Sequence, residues 1–308
     1  MTGPVRGGRE GLLCTARRPR KPFVKVGTMS VHPRGRVVLL TGAAGGIGQV
    51  MTEALLTAGH CVAAVDRDTS RLERLASVWR TGADSRFHAI CADLGSQAGC
   101  EQAVEATRVQ FGTVDAVINN AGIGMSSIRL DAETHHPSIE EPTPEIWDRF
   151  LGIFVHAPII ITRAAVALMK QGAWGRIINN TTSYRTMLRV LPYGAVKAAL
   201  EAMSAVWAKE LEGSGITVNV LVPGGPTDTP FIGKETGWPR AAMLRPQIMG
   251  PPVCWLLSEE SNGVTGTRIT AARWDPDLPT AQAAKRASRA IGWPELSADA
   301  VWLSSQPT

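Results

Sequence analysis

Tyr193-Gly194-Ala195-Val196-Lys197 places a phenol and an ammonium four residues apart, on one face of a helix and within reach of a common ligand. An unperturbed phenol titrates near pH ~10. A neighbouring ammonium favours the phenolate and brings the group toward use as a general acid and base. A Tyr–Lys pair at this spacing is by itself a frequent surface accident. Here it follows a strand-like run ending Ile177-Ile178-Asn179-Asn180-Thr181-Thr182-Ser183, in a chain that carries a second constellation.

That second constellation is Thr41-Gly42-Ala43-Ala44-Gly45-Gly46-Ile47-Gly48, which follows the apolar run Val37-Val38-Leu39-Leu40 and opens a helix-like segment. Glycines there let the backbone turn sharply, admit phosphate oxygens without a Cβ in the way, and pack the helix closely on the strand. The helix start then offers free amides and the positive end of its dipole to a pyrophosphate. About twenty residues on, the run Cys61-Val62-Ala63-Ala64-Val65 delivers Asp66, an acid placed to accept from ribose hydroxyls. The combination points to a dinucleotide. Because a carboxylate there repels a 2′-phosphate, NAD is favoured over NADP, with Arg67 the residue that pulls the other way.

These residues need a scaffold that brings several strand ends together. Apolar runs at 37–41, 61–65, 86–91, 115–118, 175–180 and 216–221, with a weaker one at 267–271, alternate with helical segments starting near Gly46, Ser70, Ser96, Pro144 and Tyr193. This alternation predicts an α/β fold: a single doubly wound parallel sheet with helices on both faces, a Rossmann fold. We expect a basic extension over 1–34, one nucleotide-binding domain over 35–274 and a C-terminal extension over 275–308, in which Trp293 and Trp302 argue for some packing. Two long irregular stretches, 122–143 and 223–250, follow strand ends, where open α/β sheets place their ligands.

Composition narrows the partners. Residues 1–36 hold nine basic side chains against Glu10 alone, so this stretch carries a formal +8 and the rest of the chain −3 of the total +5. The basic character belongs to the leader, so the folded body gives no reason to expect nucleic acid or a membrane. The leader, rich in Gly, Pro and Arg, reads as disordered; it also suits a transit peptide, and Met29 suits an alternative start. No run of eighteen or more apolar residues is present, as a membrane span requires. Five scattered cysteines without C-x-x-C spacing suit a reducing compartment such as the cytoplasm and give no metal site. Adjacent His135 and His136 lack carboxylate or thiol partners at ligand spacing and read as solvated loop residues.

Thr41-Gly42-x-x-x-Gly46-Ile47-Gly48, Asp93-Leu94, Asn119-Asn120-Ala121-Gly122, Tyr193-x-x-x-Lys197 and Pro223-Gly224 stand in the order and spacing of the classical short-chain dehydrogenases/reductases, and over about 35–270 the chain resembles that family. The resemblance implies that Tyr193 exchanges a proton with the substrate oxygen while hydride moves to or from the nicotinamide. It implies that Lys197 binds the nicotinamide ribose and lowers the Tyr193 pKa, that Asp93 holds the adenine amino group, and that Asn119 braces the sheet. It places Gly42, Gly46, Ile47, Gly48, Leu94, Ala121, Gly122, Pro223 and Gly224 around the cofactor, with Thr229 on the carboxamide. The implied activity is oxidation of a secondary alcohol or reduction of a ketone of small to medium, partly apolar character. The substrate wall would include Met187, Leu188, Arg189, Phe231, Trp238 and Met243. Family members commonly form dimers or tetramers through the helices near 145–170 and 193–211, where Ile159, Ala165, Ala199, Met203 and Val206 supply apolar surface.

The pattern is broken in three places. The serine that family members carry after the fifth strand is replaced by Thr182, eleven residues before Tyr193, or in another register by Ser183. Thr182 is preferred, since a one-residue shift along a strand turns the side chain to the other face. An asparagine that links the lysine to solvent through water is replaced by Phe154, whose ring can neither donate nor accept that bond. This opens an alternative from another class: a nucleotide-binding regulator or partner subunit with weak or no turnover. The Asp-Gly-Gly of the last strand is replaced by Ala271-Ala272-Arg273-Trp274-Asp275, which leaves the packing beyond it open.

Overall fold

The computed structural model describes residues 35–79 and 85–297; the basic leader and Trp302 lie outside the described residues. In chain order the elements are β1 (Val37–Thr41), α1 (Gly46–Thr57), β2 (Cys61–Asp66), α2 (Thr69–Trp79), β3 (Phe87–Cys91), α3 (Gln97–Phe111), β4 (Ala116–Asn119), α4 (Pro144–Leu151), α5 (Ala157–Gln171), β5 (Gly175–Asn180), α6 (Tyr184–Met187), α7 (Tyr193–Glu210), β6 (Ile216–Val222), α8 (Gly250–Leu256), β7 (Thr267–Thr270), α9 (Thr280–Ala287), β8 (Ser288–Ala290) and α10 (Pro294–Ser297). The strands form one sheet in the order β3-β2-β1-β4-β5-β6-β7-β8. All neighbours are parallel except β7 and β8, which run antiparallel. The order reverses between β1 and β4, so a crevice opens at their C-terminal ends.

Both faces of the sheet are covered, which is why its strands read as continuous apolar runs. Along β1, Val38 and Leu40 join Met51 and Leu55 of α1 and Val253 of α8 on one face. Val37 and Leu39 join Cys100 and Ala103 of α3, Ile161 and Ala165 of α5 and Ala208 of α7 on the other. The alternation along a single strand splits the core into two layers. Helix boundaries follow local chemistry: the Ser96 hydroxyl accepts from the Gly99 amide at the start of α3, and Gly112 ends that helix at φ 86°. Thr143 caps α4 on the Ile146 amide with Pro144 in the first turn.

Three findings refine the sequence reading. The C-terminal stretch adds α9 and the eighth strand, which pairs with β7 through Thr267–Ala290, Arg268–Arg289 and Ile269–Ser288. The segments α4 and α5 are joined by a π-helical turn, Gly152–His156, which carries Phe154. The resulting run Pro144–Gln171 is long and apolar enough to cross a membrane, yet Ala157, Pro158, Ile161, Thr162, Ala165 and Met169 are buried against the protein. Ala165, read as an interface residue, is a core residue at 0% exposure, whereas Ile159 and Val206 are exposed.

Candidate active site

The crevice begins at the turn from β1 into α1. Gly42 adopts φ +64°, and a Cβ there would lie 2.8 Å from the Cα of Ala121, so the turn excludes other residues on both counts. Gly45 precedes α1 with no side chain capping the helix start, and the first turn holds no acid. Its amides are left for an anion. Asp66, at the end of β2, accepts from the Ala44 amide through Oδ2 and from the Asp68 amide through Oδ1, each at 3.1 Å, so its carboxylate is held against the cradle. The side chain of Ile47 packs partly on the core behind it. These features fit a dinucleotide: a Cβ-free turn, uncapped amides and a fixed acid.

The amides at the ends of β4 and β5 tie the crevice together. Asn119 donates to Asn179 Oδ1 at 2.8 Å and to Thr162 at 3.3 Å, and Asn179 donates to Ser204 at 2.8 Å. This chain links β4, β5, α5 and α7, the bracing that the resemblance implies for Asn119. Asn120 donates to the carbonyls of Thr41 and Gly42 and accepts from Asn180 at 2.9 Å. Ala121 donates its amide to the Thr41 hydroxyl at 3.0 Å. Asp93 is exposed and accepts from the Gly95 amide at 3.0 Å, beside buried Leu94. On the opposite rim the Pro223 carbonyl accepts from the Ala272 amide at 2.9 Å, and Gly224 turns at φ +103°. The following loop brings Thr229 so close to Gly46 that a Cβ on that glycine would lie 2.6 Å from it.

The side chains with chemistry converge here. The Thr182 side chain acts on the Tyr193 phenol, favouring its ionised form. The Ser183 hydroxyl caps α6, accepting from the Thr186 amide at 3.1 Å. Lys197 is 4% exposed and donates from Nζ to the Asn180 carbonyl at 2.5 Å. Desolvation lowers its pKa to about 7. Burial pushes the Tyr193 phenol well above its ordinary value, the charge of Glu133 adds to this, and the Thr182 side chain opposes it. Burial dominates the Tyr193 pKa, and a phenyl ring covers the Nζ of Lys197.

That ring is Phe154. It is 1% exposed, meets Tyr193 edge-on at 5.4 Å between centroids and lies 4.5 Å from Lys197 Nζ. A Cβ on Gly122 would lie 2.8 Å from it, so the glycine admits the ring. Phe231 of the 223–250 loop also reaches Tyr193, at 5.9 Å. Met187 and Met243 are buried, while Leu188, at 77% exposure, faces away from the core. His135 and His136 lie exposed on the rim, His135 3.5 Å from Asp131, and no group of three metal-ligating side chains occurs among the described residues. Sequence reasoning missed Glu133, Tyr184, Glu201 and Arg268. Glu133 sits in an irregular loop with no period to read; Glu201, one turn beyond Lys197 on a helix face otherwise buried, was the one legible signal.

The comparisons with known proteins agree with this arrangement. The pattern of the short chain dehydrogenase family matches residues 36–239. The chain is a short-chain dehydrogenase. Among curated relatives of this family, fluoren-9-ol dehydrogenase of Terrabacter sp. is 27% identical over 286 residues, covering 87% of this chain and 79% of the relative. D-beta-hydroxybutyrate dehydrogenase of Cupriavidus necator is 30% identical over 206 residues, covering 65% and 74%. The solved 3-ketoacyl-(acyl-carrier-protein) reductase of Brucella melitensis, complexed with NADH, superposes with a TM-score of 0.63 at 30% identity, covering 75% of this chain and 94% of that one. This short-chain dehydrogenase is thus an NAD(P)-dependent oxidoreductase.

The buried lysine has a consequence for stability. Its pKa falls from 10.5 to about 7 on folding, so below pH 7 the fold bears the full cost of a desolvated ammonium. The cost is relieved as pH rises through 7 toward 10.5. Without added nucleotide, the stability advantage of Lys197→Met over wild type should be largest below pH 7 and shrink steadily above it. Paired denaturant titrations across pH 6–10 measure that difference; a difference independent of pH would show that Lys197 is not titrating from a desolvated site.

Proposed function

We propose that the protein transfers hydride between NAD(H) and a secondary alcohol or ketone of small to medium, partly apolar character. The observation that carries this reading is the buried Lys197, bonded to the Asn180 carbonyl at the end of β5 and 5.8 Å from the centre of the Tyr193 ring one helical turn back. The bound nicotinamide supplies or takes up the hydride. In reduction Thr182 donates a hydrogen bond to the substrate oxygen, and Tyr193 gives that oxygen its phenolic proton as the carbonyl carbon becomes tetrahedral; oxidation reverses both roles. Burial keeps Tyr193 protonated at neutral pH, which suits donation. Lys197 and Asp66 would hold the two riboses, the amides of Gly46, Ile47 and Gly48 the pyrophosphate, and Thr229 the carboxamide. Asp93 and Leu94 would flank the adenine, and Asn119, Ala121, Gly122, Pro223 and Gly224 would shape the walls.

Phe231, partly exposed beside Tyr193, offers an apolar surface at the substrate end, which supports a partly apolar substrate. Retention of Tyr193, Lys197 and Thr182 at the strand ends supports turnover over a purely regulatory role. The same reading includes a homodimer or homotetramer formed through α4–α5 and α7, where Ile159 and Val206 are exposed. It also includes a reducing, cytoplasmic setting for Cys61, Cys91, Cys100 and Cys254, which are not joined in disulfides.

Three substitutions test the assignment. With NADH and a broad ketone panel, Tyr193→Phe should lower kcat by at least about a hundredfold while NADH affinity stays unchanged, as loss of a positioned acid requires. Equal turnover would remove the tyrosine from the reaction. Phe154→Asn should cost about 3–5 kcal/mol of stability, as deletion of a buried ring does, yet keep or raise kcat by restoring a polar link to Lys197. A collapse of kcat in the folded variant would instead make the ring a support of Tyr193. Asp66→Ala should erode the preference for NADH over NADPH; an unchanged ratio of kcat/KM would refute the ribose contact.

A further inference from the structure

Behind Thr182 lies a buried charged cluster that the reaction itself does not use. Glu201 follows Tyr193 and Lys197 at the next helical turn of α7 and is 0% exposed. Its Oε2 accepts from Arg268 Nη1 at 2.6 Å and from the Thr181 hydroxyl at 2.7 Å. Its Oε1 lies 3.2 Å from the Tyr184 hydroxyl and 3.4 Å from the Gly292 amide. Arg268, on β7, also donates to the Thr181 hydroxyl at 3.1 Å and to the Thr182 carbonyl, and its guanidinium lies 4.3 Å from the centre of the Tyr184 ring. One guanidinium therefore fixes the peptide of Thr182, the residue proposed to bond the substrate oxygen.

The cluster is closed from the C-terminal side. The Tyr184 hydroxyl donates to the Gly292 carbonyl at 2.7 Å, and its ring packs on Trp293 at 5.4 Å. Tyr184 opens the short helix that leads into Met187, Leu188 and Arg189, the residues proposed for the substrate wall. Gly292 and Trp293 are held in place because β8 pairs with β7, the strand that carries Arg268. An ion pair this deeply buried is a poor source of stability, since desolvation offsets most of the attraction, but its many fixed bonds hold one geometry.

We infer that Glu201 and Arg268 are positioning residues for Thr182, and that the C-terminal segment 288–293 is a working part of the active site, setting through Tyr184 the shape of the substrate wall at 184–189. The inference rests on the assignment of Tyr193 and Thr182 to the reaction. Lysine at 268 keeps the charge but offers a point donor where a planar fork meets several acceptors, so it should loosen Thr182 without leaving Glu201 unpaired. Trp293→Ala removes only a partly exposed ring at the rim and keeps the ion pair.

The test uses the full chain, with kinetics on the ketone panel, NADH affinity, hydrogen exchange of the 182–190 amides and carbon-13 spectra of ring-labelled tyrosine. Because the chain has two tyrosines, Tyr184 and Tyr193, the spectrum holds two assignable signals. For Arg268→Lys we expect kcat to fall roughly ten- to a hundredfold, NADH affinity to be unchanged, 182–190 to exchange faster and the Tyr193 signal to move. For Trp293→Ala we expect a changed ranking of ketones by kcat/KM with the same exchange signature. Faster exchange with kcat and ranking unchanged would reduce the cluster to a structural role and overturn the inference, as would kinetic loss with exchange and the Tyr193 signal unmoved. If the wild type reduces no ketone, the assigned reaction fails on its own, and the Tyr193 signal alone then decides: displaced in Arg268→Lys it supports the positioning of Thr182, unmoved it overturns it.

Discussion

The amide side chains at the ends of β4 and β5 are the joint on which the crevice depends. Asn119, Asn179 and Ser204 form one buried chain from sheet to helix, and Asn120 with Asn180 forms a second that reaches the glycine turn. A buried amide left unpaired costs far more than a paired one contributes, so each member holds its neighbours to one register. The backbone carbonyl of Asn180 then receives Lys197. Strand ends, cradle and reactive helix are thereby fixed relative to one another before any ligand contributes.

Around that joint the electrostatics are unusual for a Tyr–Lys pair. Phe154 and Phe231 both pack on the Tyr193 ring, and Phe154 also covers the ammonium. Attraction between a cation and a ring face returns part of the lost hydration of Lys197, but not all of it. The result is a lysine poised near neutrality and a tyrosine held firmly protonated. A polar residue at 154 would admit water and change both. The substitution therefore reshapes proton supply at the site while leaving the direct contacts of Tyr193 and Lys197 intact.

The C-terminal stretch shows how an addition to the sheet reaches the chemistry. Pairing of β8 with β7 brings Gly292 and Trp293 against Tyr184, while Arg268 on β7 reaches the Thr182 carbonyl. The same pairing explains how the fold proceeds without a glycine pair after β7. There Ala271–Arg273 forms a 3-10 turn, and Trp274 packs on Trp255 at 5.8 Å.

Much of this was legible from residues alone, because the signals are local. Apolar runs bounded by glycine announce buried parallel strands, and the strand starts agree with expectation to within a residue. The glycine turn, Asp66, and the Tyr193–Lys197 spacing are short-range patterns whose geometry follows from backbone sterics and the helical repeat. What the chain could not disclose were contacts between distant segments. Nothing local distinguishes Ala165 in the core from Ile159 outside it, or tells that Arg268 meets Glu201 across 67 positions. The balance of pKa values also belonged to the fold. The residue types show an ammonium that favours the Tyr193 phenolate, whereas the burial that raises the phenol's pKa is legible only in the fold, because desolvation is a property of the surroundings and not of the pair. Sequence determined the scaffold and the identity of the candidate reactive groups; tertiary packing decided how deeply they are buried and what stands behind them.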